Sequence, residues 1–195
     1  MDATGYYVAD CVTMIEQGKY DPSLDDYLLS ADESVNIVSE KKFICYHLMG
    51  QHGAFNKRYP SDMARFTEED YPDSIAAQRK TLAEYDNATL YNDYIVDSII
   101  NKYENGNSLV IYFADHGLDA FDSAKDYFGH ANKTLESQFY GKQIPFMVYV
   151  SPKYEESNPK IIMLLKDRMD KAFCTDHFFF LLMDMLDCTS NINRQ

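Results

Sequence analysis

The sequence predicts an α/β fold in which a layered sheet of short strands carries helices on both faces. Three observations support this class: three apolar runs of strand length, a long helical pattern between the first two, and further helical patterns after the third. Each run is apolar on both faces, as in buried parallel strands joined by right-handed crossovers. We therefore expect these strands to run parallel.

The predicted strands cover residues 43–49, 109–114 and 144–150. Pro145 lies near the start of the third strand, where a missing backbone donor is best tolerated. The long helix is predicted over residues 74–105, and Asn105-Gly106 is a suitable end for it. Its apolar residues recur at helical spacing: Ala88, Tyr91, Ile95 and Ile99.

Helical patterns also lie outside the three strands. Residues 10–17 and 24–39 are predicted as helices ahead of the first strand. After the third strand, Ile162, Leu165 and Met169 mark a helix with one apolar face. The last segment is also helical, and Thr175 or Asp176 can cap its start.

Composition and charge exclude several classes of function. The chain has 195 residues, a net charge of −13 and a pI near 4.6, which disfavours binding to nucleic acid or anionic membranes. No run reaches the roughly 18 apolar residues that a membrane span requires, and the start lacks the pattern of a signal peptide. We expect this chain alone to be soluble, without a targeting signal. The cysteines leave their pairing open, since no two have C-x-x-C spacing: Cys11, Cys45, Cys174 and Cys188.

A carboxylate and an imidazole follow the second predicted strand directly, in Asp115-His116-Gly117. Ligands of open α/β sheets bind at the carboxyl ends of the strands, so both side chains are expected at a functional edge. An anionic oxygen beside a neutral nitrogen suits zinc or manganese better than calcium. Gly117 is expected to let the backbone turn away sharply after these ligands.

Two further histidines stand beyond strands with small neighbours, His52 between Gln51 and Gly53 and His130 between Gly129 and Ala131. An Asp-His pair alone is more often a turn than a ligand pair, but these two histidines at matching positions favour a site. The remaining histidines have structural interpretations: His47 is predicted as a hydrogen-bonded core residue in its strand, and His177 as a packing residue of the last helix. Lys57-Arg58 is either a solvated pair or a phosphate contact.

Five ordered segments resemble one bacterial family. Residues 47–53 followed by 57–60 resemble the "H-x-M-G-S-H-G … R-Y-P" segment of phosphoethanolamine transferases, which belong to the sulfatase and alkaline phosphatase superfamily. Residues 85–94 resemble the "Y-D-N-x-x-x-Y-x-D" helix of this family, and residues 114–117 its "S-D-H-G". Residues 127–130 and 144–146 resemble the "F-F-G-H … I-P" stretch of the branch that decorates lipopolysaccharide core sugars.

The resemblance implies an alkaline-phosphatase-like, sulfatase-like fold and a zinc-dependent reaction. Phosphoethanolamine would pass from phosphatidylethanolamine to lipid A or a core sugar of lipopolysaccharide, through a phosphorylated threonine. Asp115 and His116 would be ligands of the main zinc. The catalytic residues His52 and His130 would lie across the pocket, holding a second metal or the phosphate and assisting the leaving group.

The chain also departs from the family. Leu118 and Asp119 stand where a Glu usually follows Asp-His-Gly. No segment of residues 1–40 resembles the strands that carry the threonine and its acidic partner, and the membrane helices of the family are missing. We therefore expect residues 1–195 to be an incomplete, carboxyl-terminal portion of a periplasmic catalytic domain at the bacterial inner membrane, inactive alone and prone to self-association. The alternatives are a sulfatase or phosphodiesterase of the same superfamily and a non-catalytic domain that retains the fold.

Overall fold

A computed structural model of the chain describes residues 6–9, 24–34, 41–131 and 133–185. For residues 6–9 and 31–34 it describes the backbone alone. The helix predicted over residues 10–17 lies outside these ranges, as do Cys11 and Cys188. Cys45 and Cys174 are free and exposed. The described strands are β1 (Tyr6–Ala9), β2 (Phe43–Tyr46), β3 (Leu109–Phe113), β4 (Asp119–Ala120), β5 (Phe128–Gly129) and β6 (Phe146–Val150).

Three of the described α-helices lie before β6 in the sequence and three follow it. They are α1 (Tyr27–Ser34), α2 (Ala76–Tyr103), α3 (Leu135–Lys142), α4 (Pro152–Ser157), α5 (Pro159–Arg168) and α6 (Phe178–Met185). Three short 3-10 turns lie between β2 and α2, the first at Phe55–Lys57. Within the described ranges, no helix has both the length and the apolar character to cross a membrane.

The strands pair in three two-stranded sheets, and only one pair is parallel. Strands β1 and β2 are parallel, whereas β3 pairs antiparallel with β6, and β4 with β5. The expectation of parallel strands is therefore wrong for β3 and β6. An apolar run does not specify strand direction, and these strands are at most half-buried, so the expectation of fully buried strands is also wrong. Phe113 at the end of β3 stands opposite Phe146 at the start of β6, so the connection between them begins and ends at the same end of the sheet. Strand β1, which pairs with β2, was not among the predicted strands.

Helix α2 forms the core of the described structure through one apolar face. Tyr91, Ile95 and Ile99 are almost fully buried, which confirms the predicted periodicity. Partly buried side chains from several elements pack against them: Leu24, Leu29, Tyr46, Leu48, Tyr59, Met63, Tyr103 and Val110. The helix therefore joins α1, β2, β3 and the loop between β2 and α2 into one body.

The first predicted strand is shorter than its apolar run. Strand β2 ends at Tyr46, and His47 lies beyond it with an exposed side chain, so its predicted place in the core is wrong. The physical reason is the buried carboxylate of Asp25, which accepts hydrogen bonds from the backbone amides of Met49 and Gly50. Those amides face a side chain and not a neighbouring strand, so the chain leaves the sheet early.

The start of the last helical segment also differs from the prediction. Thr175 and Asp176 lie inside a 3-10 turn, and neither caps it, because the Cys174 carbonyl already accepts the amide of His177. Helix α6 follows, and Phe178 packs on Phe113 with ring centroids 4.7 Å apart. His177 itself is exposed and does not take part in this packing.

Candidate metal centre

The end of β3 places Asp115 and His116 on the surface. The strand pairing ends at Phe113, and Asp115 Oδ1 accepts a hydrogen bond from the His116 backbone amide at 2.9 Å. The Asp115 side chain is 91% exposed and the His116 side chain 43% exposed. Both polar groups are therefore open to a ligand from solvent, as a site at the edge of a sheet requires.

A local hydrogen bond sets the protonation of the His116 ring. Nδ1 lies 2.8 Å from the carbonyl oxygen of Gly117, and a carbonyl only accepts, so Nδ1 carries the proton in the neutral ring. Nε2 then keeps its lone pair, and it lies 3.8 Å from Asp115 Oδ1. Two ligands of a tetrahedral zinc lie roughly 3.4 Å apart, given bonds of about 2.0–2.2 Å. The pair therefore fits zinc in donor type and nearly in spacing.

His130 lies directly against His116, although it follows β5, which belongs to a different sheet from β3, so the prediction of one shared sheet edge is wrong. Their rings are stacked, with centroids 3.9 Å apart and planes at 28°. A ring nitrogen binds metal in its own ring plane, and stacked rings direct their nitrogens side by side. The two histidines therefore do not converge on one ion, and His130 stands beside the Asp115–His116 pair.

Gly117 has a different role from the predicted sharp turn. Its backbone is not in the left-handed region, and its amide donates to the Gly141 carbonyl at 2.9 Å. A Cβ at this position would collide with the carbonyl oxygens of Tyr140 and Gln143 at the end of α3. The glycine is needed for this close approach, which also brings Gly141 next to the backbone of His130.

His52 lies on a separate loop after β2. Its amide donates to the Met49 carbonyl at 3.0 Å, and its side chain is exposed. Within the described ranges, its side chain makes no hydrogen bond or ring contact with His116 or His130. The structure thus brings three of the four predicted site residues together and leaves His52 apart. Arg58 is not simply solvated, because it donates to backbone carbonyls of this loop.

An aromatic cluster that the sequence did not reveal joins the His52 loop to the His130 segment. Phe55, Tyr85 and Phe128 meet edge to face, with centroids 5.3 to 5.9 Å apart. Phe55 lies three residues after His52, and Phe128 two residues before His130. Such contacts contribute about 0.5–1.5 kcal/mol beyond burial and fix the approach of the two segments. Two of these rings, Tyr85 and Phe128, lie in the family-like motifs at residues 85–94 and 127–130. Those motifs were the only sequence feature that pointed to the cluster.

The polar residues of the motif at residues 85–94 hold the loop ahead of α2. Asn87 Oδ1 accepts the amides of Arg65 and Phe66 at 2.6 and 2.8 Å, and its Nδ2 donates to the Phe66 carbonyl at 2.8 Å. The Tyr71 hydroxyl donates to Asp86, and burial together with that bond raises the pKa of Tyr71. Within the described structure, these motif residues support the loop and do not face the candidate site.

Asp119, the residue at the departure from the family pattern, is fully buried. Its Oδ1 accepts the amides of Asp122 and Ser123 at 3.0 and 3.1 Å, and its Oδ2 accepts the Ser123 hydroxyl. Burial raises the pKa of this carboxyl, but the hydrogen bonds from Ser123 and the backbone outweigh burial, so the pKa is lowered overall. Both oxygens are engaged in a turn, and Asp119 is structural.

The described residues contain no group of three or more His, Cys, Asp or Glu side chains that could hold a metal ion. Asp115 and His116 supply two donors, and a structural zinc site has four ligands while a catalytic one has three protein ligands. The residues in the described ranges thus fit part of a zinc site.

Comparison with known proteins gives consistent results for sequence and fold. The chain is 32% identical over 133 residues to phosphoethanolamine transferase EptC of Escherichia coli K12, covering 66% of this chain and 23% of that protein. It is 27% identical over 176 residues to the Kdo(2)-lipid A phosphoethanolamine 7''-transferase of the same strain, covering 86% of the chain and 31% of that protein. The chain thus spans less than a third of the length of these relatives.

Two solved structures resemble the fold. The soluble domain of lipooligosaccharide phosphoethanolamine transferase A from Neisseria meningitidis has a TM-score of 0.67 and 26% identity, with 84% of this chain and 51% of that chain covered. The C-terminal periplasmic domain of EptC from Escherichia coli, in complex with Zn, has a TM-score of 0.61 and 32% identity, with 70% and 40% covered. The predicted alkaline-phosphatase-like fold is confirmed. Residues 6–188 match the family model described as Sulfatase, and this chain therefore belongs to the sulfatase family, with phosphoethanolamine transferases among its relatives.

Proposed function

We propose that this chain is part of a zinc-dependent enzyme that transfers phosphoethanolamine from phosphatidylethanolamine to lipid A or a core sugar of lipopolysaccharide. The observation that carries the proposal is the His116 ring, whose Nε2 keeps its lone pair beside Asp115 because Nδ1 donates to Gly117. The relatives named above are phosphoethanolamine transferases, and one similar structure is a Zn complex. That complex favours zinc over manganese.

Asp115 and His116 would hold the zinc through Oδ1 and Nε2. The metal supplies positive charge that neutralises the phosphoryl oxygens and lowers the pKa of a nucleophilic hydroxyl. His130 stacks on His116 beside this pair, and we assign it the role of holding a phosphoryl oxygen or assisting the departing alkoxide. We assign His52 a similar role from the opposite side of the substrate.

The domain proposal places residues 1–195 at the carboxyl-terminal end of a larger catalytic domain on the periplasmic face of the inner membrane. It is supported by the short share of the relatives that the chain covers, 23% for EptC. The motifs in this chain supply two metal ligands and no nucleophilic threonine, so we expect the chain alone to bind zinc weakly and to be inactive. An uncovered sheet edge would favour self-association.

The test compares this chain with a version of the same protein extended upstream through the threonine-bearing strand that the family resemblance implies. Metal analysis and calorimetry are expected to show stoichiometric zinc in the extended protein and weak binding in this chain. The extended protein should also transfer labelled phosphoethanolamine from lipid vesicles to lipopolysaccharide. Absence of zinc from both proteins would remove the metal role of Asp115 and His116.

A hydrolase of the same superfamily is the second candidate, because the matching family model is described as Sulfatase. The same extended protein distinguishes the two reactions. Release of free phosphoethanolamine or sulfate from soluble esters, without transfer to lipopolysaccharide, would support the hydrolase. A third possibility, a non-catalytic domain, predicts that Asp115→Ala leaves the function of the complete protein unchanged.

A further inference from the structure

Two charged side chains hold opposite ends of the loop that carries His52. At the start of the loop, Asp25 is 4% exposed and accepts the amides of Met49 and Gly50 at 2.9 and 2.8 Å. A carboxylate that accepts two backbone amides is a strong and directional contact, because its charge strengthens both hydrogen bonds. Asp25 comes from the turn ahead of α1, so this contact ties two distant parts of the sequence together.

At the other end, Arg58 returns to the same loop from the turn after Phe55. Its Nε donates to the His52 carbonyl at 2.8 Å, and a terminal guanidinium nitrogen donates to the Gly53 carbonyl at 3.0 Å. The planar guanidinium makes both bonds in one orientation, which a lysine could not reproduce. The backbone of His52 is therefore fixed from its carbonyl side.

The two charges also act on each other. Burial raises the pKa of Asp25 overall, and the amides of Met49 and Gly50 and the positive charge of Arg58 offset only part of that rise. Gly50 closes the turn between them with a φ of +49°, a conformation that favours glycine. The side chain of Asn92 lies against Gly50 on the inner side, where an added Cβ would come within 3.2 Å of its oxygen.

We propose that Asp25 and Arg58 are positioning residues that together fix the backbone of His52 in the conformation needed for phosphoryl transfer. We call this pair the loop clamp. The clamp itself stands on the contacts above, and its catalytic consequence rests on the proposed function. His52 has no side-chain partner in the described ranges, so its position depends on how its backbone is held.

The first test measures amide hydrogen exchange by NMR in this chain. In Asp25→Asn, exchange at Met49 and Gly50 should accelerate at least about tenfold, because one charged acceptor is replaced by a neutral amide. In Arg58→Lys, amide hydrogen exchange at residues 52–54 should become faster. The controls Asp170→Asn and Arg65→Lys make the same chemical changes at exposed side chains and should leave the loop unchanged.

The second test measures steady-state transfer by the complete enzyme. Both clamp variants should lower kcat at least about tenfold with little change in KM, since binding groups remain and only placement is lost. Unchanged exchange at Met49 and Gly50 in Asp25→Asn, or at residues 52–54 in Arg58→Lys, would overturn the clamp. Faster exchange with unchanged kcat would overturn its positioning role. If Asp25→Asn does not fold, both measurements are made on Arg58→Lys. This substitution keeps the positive charge at a side chain that is only half-buried. A complete wild-type protein without transferase activity would refute the proposed function, whereas hydrogen exchange would still decide the clamp.

Discussion

The buried face of α2 and the edge that carries Asp115 and His116 are held in place by different means. Ile95 is 0% exposed and Tyr91 3% exposed, and packing with neighbouring elements fixes them. Asp115 is 91% exposed, and local hydrogen bonds orient it and His116. The difference teaches that the stability of the fold and the geometry of the candidate site rest on separate residues, so substitutions in one region should leave the other largely intact.

The largest effect should come from the core. Ile95→Ala removes buried methyl groups and leaves a cavity, which should lower the free energy of unfolding by about 2–5 kcal/mol. Urea denaturation measures this loss. Ile75→Ala makes the same change at a side chain that is 52% exposed and should cost less than about 1 kcal/mol. Equal losses at both positions would contradict the assignment of the core.

A second substitution tests whether polar residues of α2 also belong to the stabilising region. Asn87→Ala leaves the amides of Arg65 and Phe66 without their acceptor, which should cost about 1–3 kcal/mol. Asn56→Ala, at an exposed side chain, is the matched control. If only Asn87→Ala lowers the free energy of unfolding in urea, buried hydrogen bonds stabilise this region as well as packing. Equal small losses in both variants would show that packing alone stabilises it.

The pH dependence of stability tests the buried carboxyl of Asp119. The pKa of Asp119 is lowered in the folded state from an ordinary value of 3.8, so its contribution is complete above 3.8 and is lost as pH falls through the folded pKa. The free energy of unfolding should therefore rise with pH across that window. In Asp119→Asn this rise should be smaller, while Asp170→Asn should retain it. The same slope in both variants would show that Asp119 does not contribute.

The smallest effect on stability is expected at the site itself. His116→Ala should change the free energy of unfolding by about 0.5 kcal/mol or less, because the side chain is exposed. In the extended protein, His116→Ala should lower the zinc affinity at least about tenfold. Removal of a group that only hydrogen-bonds a metal ligand already lowers affinity by about that factor. His177→Ala is the control for a histidine outside the site. Parallel losses of stability and zinc affinity in His116→Ala would break the separation between the two regions.

The sequence predicted the fold best where one periodic pattern is long. Helix α2 was predicted over residues 74–105 and spans Ala76–Tyr103, because its apolar face repeats over many turns. Strand direction could not be predicted, since β3 and β6 are equally apolar whichever way they run. Strand β2 ended early because of Asp25, which lies 24 residues before Met49 in the sequence.

The candidate site was predicted only in part, because its contacts join residues that lie far apart in the sequence. His116 and His130 do meet, but they follow strands of two different sheets, so their contact depends on how those sheets pack and not on one shared edge. The aromatic cluster and the loop clamp join residues far apart in the sequence, and no local pattern announces such contacts. The roles of Asp115, His116, His52 and His130 in metal binding and catalysis stay predictions.

The close approach at Gly117 limits how this site can be redesigned. Any side chain at residue 117 would push α3 outwards, and α3 also touches the backbone of His130 through Gly141. A single added methyl group would then displace the segment packed against His130 without altering any polar group. Asp115 or His116 can be exchanged at an open surface, but the residue that follows them must remain without a side chain.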